Sequence, residues 1–345
     1  MKNIAIRVNA SNSVGTGHFY RSLLLAKNLK SQEVKIFFIC DNLNKLFVKK
    51  LKSEKFKYYI LKKPDYIKNY EKSDIYQTIN VLKKIKQIID LLIVDSYLVG
   101  KKWEKELSKY AKNIMVIDDL NRSHYCNIYL NQNFSSNRFL KRLVPKSCKT
   151  LIGPKYHLLN PNYKNKKNIV KSNYKIKNVI IFMGGSDTKK LTLKILKILS
   201  EKEFLDLNLF VVLGINNVNF FLITKLIKQR SNASVYYNLP SLSNLIKKSD
   251  IAISSGGSTI SEFIFFGLPS LVINQANNQL NNSTYLDKMG AIKLFKKKEK
   301  TNKDLRKFFR KNLLNKNFTI PKKIFNLLDD KGSSRIIKNI SEYLK

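Results

Sequence analysis

The 345-residue sequence predicts an α/β protein of two doubly wound domains, and three observations carry that expectation. Short β-branched apolar runs alternate with amphipathic helical runs, the pattern of parallel sheets with helices on both faces. The alternation breaks at a polar, lysine-rich stretch from 160 to 177 and then restarts. Each half also carries a glycine loop leading from a strand into a helix, a turn whose free N–H groups and partial positive charge suit anions.

Ile4–Val8 alternates as the first strand and leads into V-G-T-G-H-F-Y-R-S at 14–22, where Gly15 and Gly17 flank Thr16 and His18 opens the helix. A tight βα turn with an incidental histidine fits this spacing as well as a ligand loop does. Val34–Cys40 reads as the second strand and Tyr58–Leu61 as a short third, with Pro64–Tyr70 as loop and Ile75–Ile89 at helical spacing. Leu91–Asp95 is a buried strand, Trp103–Tyr110 a helix, and Ile114–Ile117 and Ile128–Asn131 are strands. Open parallel sheets bind ligands beyond the carboxyl ends of their strands. Asp95, Tyr97, Asp118, Asp119 and Asn131 all fall there, on the rim shared with Gly15–His18.

Past the polar stretch, Val179–Met183, Leu209–Gly214, Ser234–Tyr237, Ile251–Ser254 and Ser270–Ile273 read as strands with helices between. Residues 303–345 are helical with short breaks. The boundaries that follow are a Rossmann-like domain over 1–160, a linker at 161–177, a second Rossmann-like domain over 178–320 and a helical tail at 321–345, the two domains facing a cleft.

Composition narrows the function. The formal net charge is +41, yet only nine of the 65 basic residues are arginine, and the lysines are spread among asparagines and isoleucines. Arginine is the residue of bidentate phosphate and base recognition, so its scarcity speaks against a dedicated nucleic-acid role and for genome composition. Cys40, Cys126 and Cys148 show neither metal nor redox spacing, which suggests buried thiols in a reducing compartment. No secretory pattern opens the sequence, and no apolar run reaches the roughly 18 residues that cross a bilayer, so the expectation is a cytoplasmic protein without stable membrane insertion.

The second glycine loop reads S-S-G-G-S-T-I-S-E at 254–262. Gly256 and Gly257 let a phosphate approach the backbone, Ser258 and Thr259 add hydroxyl donors, and Glu262, one turn inside, is placed to accept two ribose hydroxyls. The loop at 184–187, with Gly185 and Ser186, offers further donors to the same diphosphate. A Gly-Gly turn with a capping serine explains either loop alone. Neither is a Walker loop or a G-x-G-x-x-G fingerprint. After the next strand, the amide run Asn277, Asn278, Gln279, Asn281 and Asn282 is suited to sugar hydroxyl and acetamido groups, although an amide cluster is also unremarkable in an asparagine-rich chain.

With these residues in view, the sequence resembles the UDP-2,4-diacetamido-2,4,6-trideoxy-β-L-altropyranose hydrolases of pseudaminic acid biosynthesis, relatives of inverting transferases of the glycosyltransferase-B fold. The markers span roughly residues 4 to 295: Arg7, G-T-G-H with Arg21, V-D-S-Y at 94–97, D-D at 118–119, M-G-G-S-D at 183–187, S-G-G-S-T-x-x-E at 255–262, G-L-P at 267–269 and N-Q-x-x-N at 278–282. The resemblance implies that His18 is the general base activating water, with inversion at the anomeric carbon and neither metal nor cofactor. It implies that Tyr97 and Asn278 lie near the reacting sugar and that Arg7, Gly15, Gly17 and Arg21 contribute to substrate binding. It also implies diphosphate contacts from Ser186, Gly257, Ser258 and Thr259, and a ribose contact from Glu262. Departures are Ser96, where relatives often carry histidine, and His157 and Asn160, where they carry a small residue and an arginine. His124 reads as a surface residue. A glycosyltransferase with another acceptor, and a catalytically silent nucleotide-sugar or polyanion binder, are the competing expectations.

Overall fold

A computed structural model describes residues 1–10, 16–41, 43–62, 70–134, 138–160, 162–163, 175–314 and 319–345. The chain divides into two compact units, Met1–Leu158 with Lys331–Lys345, and Leu159–Asp330. Residues 161 and 164–174 of the expected linker lie outside the described residues.

The first unit is a seven-stranded parallel sheet of β1 (Lys2–Asn9), β2 (Val34–Asp41), β3 (Lys57–Leu61), β4 (Ile89–Asp95), β5 (Ala111–Ile117), β6 (Ile128–Asn131) and β7 (Lys149–Ile152), in the order β3-β2-β1-β4-β5-β6-β7. Helices α1 (Gly17–Leu29), α2 (Lys45–Ser53), α3 (Tyr70–Ile85) and α4 (Lys101–Leu107) join the strands. The two-residue period of β1 sorts its side chains between the faces. Ile4, Ile6 and Val8 pack with Phe19, Leu25 and Ala26 of α1. Ala5 packs on the other face with Ile39, Leu92 and Trp103.

That same period decides Arg7. It shares the face of Ala5 and is wholly buried. Its Nε donates to Asp74 Oδ2 at 3.0 Å, Nη1 to the Val8 carbonyl at 2.8 Å and Nη2 to Tyr70 OH at 2.9 Å and to Asp74. Trp103 Nε1 and Thr78 Oγ1 complete the carboxylate of Asp74 at 2.8 and 3.1 Å. The substrate contact expected of Arg7 is thus corrected: its donors serve an internal ion pair tying β1 to α3. Removing one partner of a buried pair strands the other charge, so Arg7→Met is expected to lower stability by about 3–5 kcal/mol, read from urea unfolding.

The second unit repeats the plan with β8 (Asn178–Phe182), β9 (Asn208–Leu213), β10 (Ala233–Tyr237), β11 (Ile251–Ser254), β12 (Ser270–Val272) and β13 (Lys293–Leu294), ordered β10-β9-β8-β11-β12-β13 and parallel throughout. Its helices are α5 (Leu191–Leu199), α6 (Phe220–Ile227), α7 (Ser243–Lys248), α8 (Thr259–Phe265), α9 (Leu280–Lys288), α10 (Asn302–Phe309) and α11 (Lys322–Phe325). The C-terminal stretch does not form one tail. The last helix, α12 (Gly332–Glu342), belongs to the first unit and buries Ile336 and Ile340 there. A side chain at Gly332 would lie 2.2 Å from the His157 carbonyl oxygen, so that helix docks backbone to backbone. Lys2 Nζ donates to the Lys345 carbonyl at 3.0 Å.

The short strands β7 and β13 were not expected from the sequence. Cys126 and Cys148, despite their unremarkable spacing, lie with their sulfurs 3.7 Å apart because β6 pairs with β7. In both sheets the strand order reverses beside the first strand, between β1 and β4 and between β8 and β11. These are the switch points where open α/β sheets gather ligands.

Candidate active site

At the first switch point, α1 begins at Gly17 and presents His18 to Asp95, the last residue of β4. Both side chains are buried. His18 Nδ1 is hydrogen-bonded to Asp95 Oδ1, and a carboxylate can only accept, so the proton sits on Nδ1 and Nε2 is the nitrogen left to take another. Arg21, one turn along α1, clamps the same carboxylate with Nε and Nη2, each at 2.6 Å. Ser22 Oγ adds a bond at 3.1 Å. Burial alone would raise the Asp95 carboxyl. Arg21 and then His18 overcome it and hold Asp95 well below the usual carboxylate range.

Tyr97 stands edge-on to His18, ring centroids 4.3 Å apart at 83°. Its hydroxyl donates to Asp119, which also receives Arg21 Nη1 at 3.3 Å. The loop carrying Tyr97 is pinned from below by Arg122, which donates to the carbonyls of Ser96 (3.0 Å), Tyr97 (3.1 Å) and Val99 (3.1 Å). Arg122 in turn bonds Asp118 at 2.7 Å. His124, expected at the surface, is buried: Nδ1 meets Glu104 Oε1 at 2.6 Å and Nε2 lies 3.4 Å from Asp118 Oδ2. Burial would lower its pKa, but Asp118 and Glu104 raise it to about 9, so it is an internal cation. His157 is buried with Nδ1 unpartnered, and burial followed by the charge of Arg21 pushes its pKa down to about 4.

The structure thus brings together His18, Arg21 and Tyr97 in the first unit, with Gly17 at the helix start, where no atom of the described residues lies within 4 Å of a Cβ built on it. Gly15 lies outside the described residues. Asp95 and Asp119, which the sequence placed only on the rim, turn out to be the partners that orient the others. The strand-end position was the available signal; the missing step was knowing that β4 neighbours β1.

At the second switch point, the loops after β8 and β11 touch. A Cβ at Gly184 would stand 3.5 Å from Ser255 Oγ, and Gly184 has a positive φ of +87°. Gly214, after β9, packs against Gly185 so closely that a Cβ would come within 2.4 Å of its backbone. Asp187 caps α5 through Leu191 N and Thr192 N, both 2.9 Å, and fixes the loop bearing Gly185 and Ser186. Gly256 is wedged against Asn274, Ser283 and Gln279, whereas Gly257 is nearly open. Ser258 and Thr259 start α8 on the exposed side. Gln279 closes the next turn by accepting from Gln275 N at 2.8 Å, and its Nε2 lies 4.0 Å from a Cβ placed on Gly257. Asn278 and Asn282 sit half-buried on either side of Gln279 in the same turn and the start of α9.

Glu262 already has a partner that the sequence did not reveal. Tyr163 donates its hydroxyl to Glu262 Oε2, and its ring meets Phe266 with centroids 5.0 Å apart. Burial raises the Glu262 pKa to about 7, against the Tyr163 hydrogen bond that lowers it. One carboxylate oxygen of Glu262, Oε2, therefore accepts from the phenol.

Among the described residues, no group of three or more His, Cys, Asp or Glu is arranged to hold a metal ion. No described helix is long and apolar enough to cross a membrane.

Residues 179–340 match the glycosyltransferase family 28 C-terminal domain. An uncharacterized protein of Methanocaldococcus jannaschii is 31% identical over 299 residues, 84% of this chain; the chain spans 58% of that relative's length. The UDP-2,4-diacetamido-2,4,6-trideoxy-beta-L-altropyranose hydrolase of Campylobacter jejuni is 26% identical over 83% of this chain and 97% of its own. Among solved structures, Acinetobacter baumannii MurG superposes with a TM-score of 0.68 at 14% identity, covering 99% of this chain and 100% of the other. That likeness shows the fold: two parallel-sheet α/β domains of the glycosyltransferase-B type.

Proposed function

We propose that this chain, a homologue of the Campylobacter jejuni altropyranose hydrolase with a family 28 C-terminal domain, hydrolyses a UDP-linked diacetamido-trideoxy sugar. The observation that carries the proposal is the His18–Asp95 pair clamped by Arg21. With Nδ1 bonded to a carboxylate, His18 Nε2 takes a proton from water as the water oxygen bonds the anomeric carbon. The bond from that carbon to the β-phosphate oxygen breaks with inversion, and UDP leaves with the electron pair. Asp95, held ionised, offsets the charge of the imidazolium that forms. The glycine loops of the second unit supply N–H and hydroxyl donors to the departing diphosphate, the electrostatic task such loops perform best.

The family 28 domain favours one second reading, an inverting transferase using the same donor. Incubation with the altrose-configured UDP-sugar and no acceptor separates the two. Under the hydrolase reading, proton NMR shows stoichiometric free sugar released with inverted anomeric configuration. Intact donor after many enzyme equivalents of time would favour transfer.

Glu262 gives a pH prediction. Its folded pKa of about 7 lies above the ordinary carboxylate value, so the folded state binds the extra proton between roughly pH 4.5 and 7. Stability contributed by this group is therefore largest at the acid end and falls as pH rises through 7. A ribose hydroxyl donates to the ionised form, so binding of a UDP-sugar, whose diphosphate diester does not titrate here, should tighten from pH 6 to 8. Glu262→Gln should flatten that dependence in calorimetry; an unchanged slope would remove Glu262 from the ribose site.

A further inference from the structure

We infer that the β9–α6 corner of the second unit is a wedge that docks this protein reversibly on an anionic lipid surface. Val218 is 79% exposed, Phe221 76%, Leu222 52%, Tyr237 47% and Phe220 42%, and all five belong to this one corner, the turn after β9 with the end of neighbouring β10. Single exposed apolar residues need no explanation, but a contiguous group of large ones does.

The exposure is built into the fold. Asn217 N donates to the Gly214 carbonyl at 3.0 Å and Asn216 N to the Gly185 carbonyl at 3.0 Å, anchoring the turn on the rigid backbone contact of Gly214. Asn219 N donates to Asn217 Oδ1 at 2.9 Å, which folds both asparagines inward and turns Val218 out. Ile223 and Ile227 hold the inner face of α6 in the core, so Phe221 and Leu222 point to the other side. Phe220 and Tyr237 brace each other edge to face at 5.1 Å, and Tyr237 OH is tied to the Ile215 carbonyl at 2.9 Å. An apolar tip held this way needs no ordering on contact, which lowers the cost of association.

Charge selects the occupant. Residues 207–249 contain Lys225, Lys228, Arg230, Lys247 and Lys248 and neither Asp nor Glu. Lys225 and Lys228 follow Phe221 at i+4 and i+7, so they line the exposed face of α6 behind the apolar tip and are themselves exposed. Apolar side chains leading and lysines trailing are the arrangement of an interfacial anchor, in which stems lie along the acyl boundary and ammonium groups reach the headgroups. A neutral protein groove offers no reason for that ordering.

Co-sedimentation of the full chain with vesicles of phosphatidylcholine, with and without 30% phosphatidylglycerol, tests the wedge. The expected result is binding to the anionic vesicles that weakens with salt. Val218→Asp with Phe221→Asp should reduce it about tenfold or more, the fold-change of withdrawing buried apolar side chains. Lys225→Gln with Lys228→Gln should cost about fivefold per lysine on anionic vesicles and nothing on neutral ones. Both pairs are solvent-exposed, so unchanged urea midpoints and UDP affinity show that the fold is intact. Equal binding by the aspartate variant, or no binding by the wild type at low salt, overturns the inference. So does a wild-type dimer in sedimentation velocity that the aspartate variant abolishes, since the occupant would then be a second copy.

Discussion

His18→Ala is expected to lower the rate of UDP release by about 10²–10⁴-fold, the range of a lost general base. The affinity for UDP itself should stay within about twofold, because the residues proposed to grip the nucleotide all lie in the second unit, which folds around its own core. His18 is 5% exposed and its Nδ1 is bonded to Asp95 with Arg21 Nη2 3.1 Å away, so the variant leaves Asp95 with Arg21 and Ser22 as partners, enough to keep the carboxylate ionised. Release of free sugar followed by NMR and UDP affinity by calorimetry give the two readouts. A variant that turns over near the wild-type rate would end the role of His18 as base.

Asp95→Asn should be nearly as damaging, with a loss of about 10³–10⁴ in kcat and little change in KM, because it acts through His18. An asparagine can offer its amide N–H to Nδ1, which would place the imidazole proton on Nε2 and leave no acceptor facing water. A substitution that merely loosened packing would move KM and stability together. This one should instead lower kcat and leave KM near its wild-type value. It also has a stability signature. The folded pKa of Asp95 lies below its unfolded value, so its contribution is fully present above about pH 4 and is lost as pH falls toward the native value. Acid unfolding of the wild type should therefore be steeper below pH 4 than that of the variant.

Much of the fold was legible because strands buried on both faces, such as Leu91–Asp95, have no reading other than parallel sheet. The two-unit plan followed from the break in rhythm after residue 160. The two shortest edge strands were not legible: Lys149–Ile152 and Lys293–Leu294 carry too few apolar residues to show a period, unlike the edge strands β3 and β10. The candidate site was legible where residues are local in sequence, as with His18 and Arg21 on one helix. It failed where partners are distant. Arg7 and Asp74 lie 67 residues apart, and only the face alternation of β1 together with the position of α3 turns an apparent ligand residue into an internal ion pair. His124 failed for the same reason, since its two carboxylates come from α4 and the end of β5.

The return of α12 to the first unit has a consequence for how this protein can be rebuilt. The chain leaves the first unit at Leu158 and re-enters it at Lys331, so the second unit is an insertion with two seams. The inserted unit could be exchanged for that of a relative at the two seams without cutting either sheet, which would separate the contribution of the second unit from that proposed for His18.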